Sequence, residues 1–73
     1  MTVQSIDFPP NMRLFKVKEA MEILSLGRST IFEEMRLGRL RSVTVGRARL
    51  ISGAAIIEYI ENLERLALEE RAA

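Results

Sequence analysis

With 73 residues the chain is one domain near the lower limit for independent folding, where only about 60% of the unfolded surface becomes buried. Its 48% hydrophobic and 5% aromatic content calls for a small aliphatic core, while a formal net charge of +1 names no partner by itself. The lack of cysteine and histidine removes disulfides, zinc fingers, thiol nucleophiles and imidazole acid–base chemistry, so no metal and no cofactor are expected.

Residues 1–13 carry Phe8-Pro9-Pro10-Asn11. Two consecutive prolines restrict the backbone to extended conformations and remove two amide donors, which predicts a flexible N-terminal arm. Packing of Ile6 or Phe8 on the core is the alternative. The start lacks the basic and apolar regions of a signal peptide, and no apolar run approaches the roughly 20 residues that span a bilayer. A soluble, cytoplasmic protein is expected.

From Val17 to Leu24 the apolar residues Val17, Ala20, Met21, Ile23 and Leu24 recur at helical spacing against Lys18, Glu19 and Glu22. Ser25-Leu26-Gly27 interrupts the pattern, and Arg28 to Leu37 resumes it through Ile31, Phe32 and Met35 before Gly38 stops it. Two short helices joined by three residues make a helix-turn-helix.

Beyond Leu40 the period becomes two, with Val43 and Val45 on one face and Ser42 and Thr44 on the other. Gly46 supplies a turn and Arg49-Leu50-Ile51 the returning strand of a hairpin. Leu50 and Ile51 point to opposite faces, so only one joins Val43 and Val45 on the expected core side, and loop length decides which. Ser52 is a good N-cap. From Gly53 to about Glu70 the residues Ile56, Ile57, Ile60, Leu63, Leu66 and Ala67 keep helical spacing in a third and longest helix. Ile56, Ile57 and Ile60 are expected to pack on the first two helices. Leu63, Leu66 and Ala67 extend past them, either as a candidate surface for a partner helix or a second copy or as a fraying helix end.

Charge is unevenly distributed. Residues 28–49 hold Arg28, Arg36, Arg39, Arg41, Arg47 and Arg49 against Glu33 and Glu34, whereas the third helix carries five glutamates against two arginines. A basic island of this kind suits a polyanion. In a helix-turn-helix the opening of the second helix meets base edges in the major groove, and Arg28, Ser29 and Thr30 occupy that opening. Arginine can give guanine two parallel hydrogen bonds, and hydroxyls can bond phosphates or base edges. Glu33 and either Arg36 or Leu37 project one turn on, Arg36 being the candidate contact, and Glu33 could accept from a cytosine amino group. Arg47 and Arg49 at the hairpin tip suit phosphates or a narrow minor groove. Lys16, Lys18, Arg39 and Arg41 are further candidate phosphate contacts, the last two equally partners of a helix dipole. Nothing resembles a nucleophile with its base, a carboxylate pair or a phosphate-cradling loop, so no enzyme activity is expected.

The ordered blocks Val17-Lys18-Glu19-Ala20-Met21-Glu22-Ile23-Leu24, Arg28-Ser29-Thr30-Ile31-Phe32, Gly38-Arg39-Leu40, Val43-Thr44-Val45-Gly46-Arg47, Arg49-Leu50-Ile51 and Ala55-Ile56-Ile57-Glu58-Tyr59-Ile60 resemble the excisionase-type winged helix-turn-helix proteins, relatives of MerR-like DNA-binding domains. The likeness runs without a gap from about Leu14 to Ile60. It implies a mainly α fold with a small β-hairpin wing and a long C-terminal helix. The expected division is an arm at 1–13, the DNA-binding domain at 14–61 and a helical extension at 62–73.

The resemblance further implies a protein of phages and integrative elements that sets the second helix in the major groove of double-stranded DNA and the wing in the adjacent minor groove. Such recombination directionality factors bind repeated attachment-site sequences, often cooperatively, bend the DNA and help a site-specific integrase excise the element. The place of action would be the nucleoid of a bacterial host cell, with no membrane and no small-molecule ligand. Arg28, Ser29 and Thr30 would be base or phosphate contacts, and Arg47 and Arg49 wing contacts. The adjacent Glu33 and Glu34 reduce non-specific phosphate attraction and suggest a surface tuned for particular sites. A small transcription regulator with the same domain is the alternative, followed by a protein-interaction module working through the C-terminal helix.

Overall fold

The structure is a computed structural model that describes residues 9–72. Expectations about Ile6 and Phe8 fall outside the described residues. A single 3-10 turn, Pro10–Met12, leads into β1 (Leu14–Lys16) and α1 (Val17–Leu24); α2 (Arg28–Arg36), β2 (Val43–Val45), β3 (Ala48–Ser52) and α3 (Gly53–Ala72) follow. The turn packs on α3, so this part of the expected arm has regular structure. No helix among the described residues is long and apolar enough to cross a membrane.

Helix α1 starts without a side-chain acceptor at Lys16, but the Glu19 carboxylate accepts from the Lys16 backbone N–H at 2.8 Å, half of a capping box. It ends where Ser25 turns left-handed at φ 56°. Leu26 then packs against the core, and Gly27 opens α2 with extended backbone. At the far end of α2, Gly38 at φ +81° reverses the chain, a conformation that suits glycine. The Glu34 carbonyl accepts from the N–H groups of both Arg39 and Leu40. This reversal drives Leu40 into the interior, fully buried.

The strands form an antiparallel sheet in the order β1-β3-β2. The expected hairpin gains a third strand, because Leu14–Lys16 pairs along the other edge of β3. Its start is anchored where the Gly53 N–H donates to the Arg13 carbonyl at 2.8 Å. The β2–β3 loop has two residues, Gly46 and Arg47, with φ +62° at the glycine alone, the pattern of a type II′ turn.

That two-residue loop sets Val43 opposite Leu50 and Val45 opposite Ala48. Directly opposed residues share a face, so Leu50 goes with the valines and Ile51 lies on the other side. Ile51 is the buried one, while Val43 and Val45 are 47% and 56% exposed. The expected core side is therefore reversed: the valines face outward, and the face of Ile51 covers the helices.

Among the described residues seven form the core, Ala20, Ile31, Leu40, Ile51, Ala55, Ile56 and Tyr59, flanked by Phe15, Val17, Met21, Leu24, Leu26 and Met35. Helix α3 is capped as expected, the Ala55 N–H donating to Ser52 Oγ at 3.0 Å. Its buried stripe differs from expectation. Ile56 packs inward, but Ile57 and Ile60 are 40% and 39% exposed, and Ala55 and Tyr59 take their places. At 100° per residue the apolar arc of α3 is wider than the small sheet and two short helices can cover. A mainly helical chain with a small three-stranded sheet, a hairpin after α2 and a long closing helix is a winged helix-turn-helix.

Candidate nucleic-acid interface

The basic island divides once its charges are paired. Arg36 gives Glu33 two hydrogen bonds, Nε to Oε1 at 3.1 Å and Nη2 to Oε2 at 2.6 Å, one turn along α2. The Arg36 guanidinium thereby holds the Glu33 carboxyl below its ordinary pKa, with a smaller push from the charge of Arg39. Arg39 Nη1 donates to Glu34 Oε2 at 3.3 Å, and Arg41 Nε donates to Glu58 Oε1 on α3 at 2.7 Å. Among the described residues, Arg28, Arg47 and Arg49 have no carboxylate partner. Those three lie at the opening of α2 and on the wing.

Arg28 lies along the helix surface, its guanidinium 5.1 Å from the centre of the Phe32 ring one turn on. Phe32 is 38% exposed and so only partly serves the core that its spacing suggested. It also lines, with Met35, Arg36 and Arg49, a shallow groove of about 410 Å³ between α2 and the wing. Phe32 thus joins the two basic tips: Arg28 lies over it and Arg49 shares its groove. Sequence spacing could not find this role, because an aromatic at a helical apolar position most often belongs to the core.

Arg49 sits opposite Thr44, on the face of β3 that carries Ile51 toward the helices, and its Nη1 donates to Ser42 Oγ at 3.1 Å. Arg47 projects from the turn itself, exposed. Ser29 and Thr30 are exposed at the first turn of α2. Gly27 gives that turn no side-chain cap, so amide N–H groups there remain open to an outside acceptor such as phosphate.

The remaining candidates lie elsewhere. Lys16 is opposite Leu50, on the outer face of the sheet and away from Arg49, and Lys18 is exposed on α1. Arg39 and Arg41 are drawn toward α3, where they line a groove with Tyr59, Leu63 and Leu66. Ala67 lies along α3 beyond it, half-buried.

Glu34 departs most from the surface role expected of it. The residue is 9% exposed, its Oε1 accepts from the Tyr59 hydroxyl at 3.1 Å and its Oε2 from Arg39. Its carboxylate therefore ties α2 to α3 from inside and takes no part in tuning the exposed face. Burial, then the hydrogen bond and charge of Glu34, raise the pKa of the Tyr59 hydroxyl above its ordinary value. Among the described residues no group of three potential metal-ligating side chains comes together.

Three guanidiniums, two hydroxyls and open amides, spread over a helix tip and a hairpin, can bind an extended polyanion at two places. Residues 14–64 match the family described as the helix-turn-helix domain. Over 54 residues, 74% of this chain, the sequence is 39% identical to a probable excisionase of Saccharopolyspora erythraea. The chain spans about half of that relative, 55% of its length. No solved structure matches the chain significantly.

Proposed function

The chain belongs to the excisionase-type helix-turn-helix family and carries its DNA-binding domain, and on that premise we propose that it is an excisionase: a recombination directionality factor of a phage or integrative element. It binds repeated sequences in attachment-site DNA, bends them and directs a site-specific integrase towards excision, in the nucleoid of a bacterial host cell. Residues 14–61 are the DNA-binding unit and residues 62–73 a helical extension for protein contacts. Arg28, Ser29 and Thr30 contact bases or phosphates in the major groove, with Glu33 and Arg36 behind them. Arg47 and Arg49 reach the adjacent minor groove.

The observation that carries this reading is the distribution of cations. Within residues 28–49 the three arginines without a carboxylate partner are those at the two tips. Arg36, Arg39 and Arg41 have their charge largely balanced within the molecule, which leaves them as supports.

Binding of an attachment-site duplex, titrated over a range of salt concentrations, tests the interface. Arg28→Ala and Arg47→Ala should each weaken binding by roughly 1–3 kcal/mol, with a shallower salt slope where a phosphate contact is lost. Unchanged affinity in both variants would refute the proposed interface. Excision is tested separately, by whether the wild-type protein and the cognate integrase together release the element when the integrase alone does not.

A further inference from the structure

The apolar face of α3 that buries Ile56 and Tyr59 continues one and two turns further as Leu63 and Leu66, which are 47% and 51% exposed. Beside them a groove of about 300 Å³ runs between the loop after α2 and α3. Its floor is Tyr59, Leu63 and Leu66; its rim carries Arg39, paired with Glu34, Arg41, paired with Glu58 of the same rim, and Arg65, which has no carboxylate partner among the described residues. Arg65 could reach Glu69 one turn on, but it turns back to Asn62 Oδ1 at 2.8 Å and lines the groove. An apolar floor beside the unpaired guanidinium of Arg65 fits an apolar helix face flanked by carboxylates.

The chain itself supplies such a helix. The last turns of α3 hold Leu66 and Ala67 followed by Glu69 and Glu70, and neither glutamate has an ion-pair partner among the described residues. A straight helix cannot fold its own end back into the groove, whereas a second copy can bring its end there. We infer that α3 of a second copy lies antiparallel in this groove, the two helices crossing at Leu66, so that Glu69 and Glu70 of each copy meet Arg65 of the other. A parallel pair would instead set the acidic ends side by side. The contact is isologous, each copy both giving its acidic end and receiving one.

The overlap covers only the projecting half of α3, less surface than a stable interface of roughly 800 Å² per partner requires. Association of the free protein therefore falls in the micromolar to millimolar range. The inference stands apart from the DNA-binding reading, because it is measured with no DNA present and its residues are not those proposed for the DNA contact.

Sedimentation equilibrium of the full chain, from roughly micromolar to millimolar concentration, should show a reversible monomer–dimer equilibrium. Leu66→Glu should abolish it. Arg65→Glu, and the double variant Glu69→Lys with Glu70→Lys, should each weaken dimerisation about tenfold or more, since like charges then face each other. An equimolar mixture of those two variants should restore association, because in the mixed pair every reversed charge meets its opposite. All these positions except Leu66 are exposed charges, so thermal unfolding should stay within about 0.5 kcal/mol of wild type. A wild-type chain that remains monomeric throughout, variants that dimerise as wild type does, or a mixture no better than its parts would each overturn the inference. Those results would leave the groove to residues 1–8 or to an unrelated protein.

Discussion

Glu33 and Glu34 are neighbours of identical chemistry with opposite destinations. A step of 100° around α2 puts one carboxylate in solvent with Arg36 and the other against Tyr59 and Arg39. The Tyr59 hydroxyl donates to a largely buried carboxylate, so Tyr59→Phe should leave that carboxylate short of a partner and cost about 1.5 kcal/mol of folding stability in chemical unfolding. The same contact sets an alkaline limit. With its folded pKa raised above the ordinary 10.0, Tyr59 contributes stability that is fully present below about pH 10 and is lost as pH rises through the folded value. Unfolding curves of wild type should therefore weaken above pH 10, and those of Tyr59→Phe should lose that component of the decline. Glu33 acts in the opposite sense, its stabilisation being present above pH 4.5 and lost as pH falls through its lowered value. Neither assignment was available from residue type: a glutamate at a helical position is ordinarily solvated, and only the tyrosine arriving from residue 59 makes Glu34 internal.

Helices were more legible than strands. Helix α1 occupies Val17–Leu24 as its periodicity predicts, and α2 stops one residue before the expected Leu37, because α-helices span many residues and average their signal. The wing is only three and five residues per strand, too short for its pattern to choose a face. Its orientation follows from the two-residue turn, which fixes register and sends Ile51 inward. Strand β1 escaped notice because Leu14-Phe15-Lys16 is strand only by pairing with β3, 34 residues or more further along. The turn itself offers a test. Gly46 has open space around it but φ +62°, so Gly46→Val should cost at least about 1 kcal/mol through backbone strain alone. Chemical unfolding measures that loss. Duplex binding should fall with it where the wing contributes, since Arg47 is the other residue of the turn.

The molecule as a whole separates a compact domain from a projecting helix. Among the described residues every core residue lies between Ala20 and Tyr59, while α3 runs to Ala72, roughly 20 Å beyond Tyr59 at 1.5 Å per residue. A chain ending at Glu61 should therefore keep its fold and its affinity for a single duplex site within about 1 kcal/mol, while losing self-association in sedimentation. Loss of site affinity on that truncation would show that the extension helps hold DNA directly. By itself the sequence determined the helices, the presence of a hairpin, the charge asymmetry and the family resemblance, because these reside in local spacing and in ordered blocks of residues. Tertiary structure alone decided which arginines keep an unpaired charge, which glutamate is internal and which sheet face is core. Arg36 is paired locally, with Glu33 three residues before it, but Arg39 and Tyr59 reach Glu34 from 5 and 25 residues away and Glu58 reaches Arg41 from 17, meetings that no local pattern encodes.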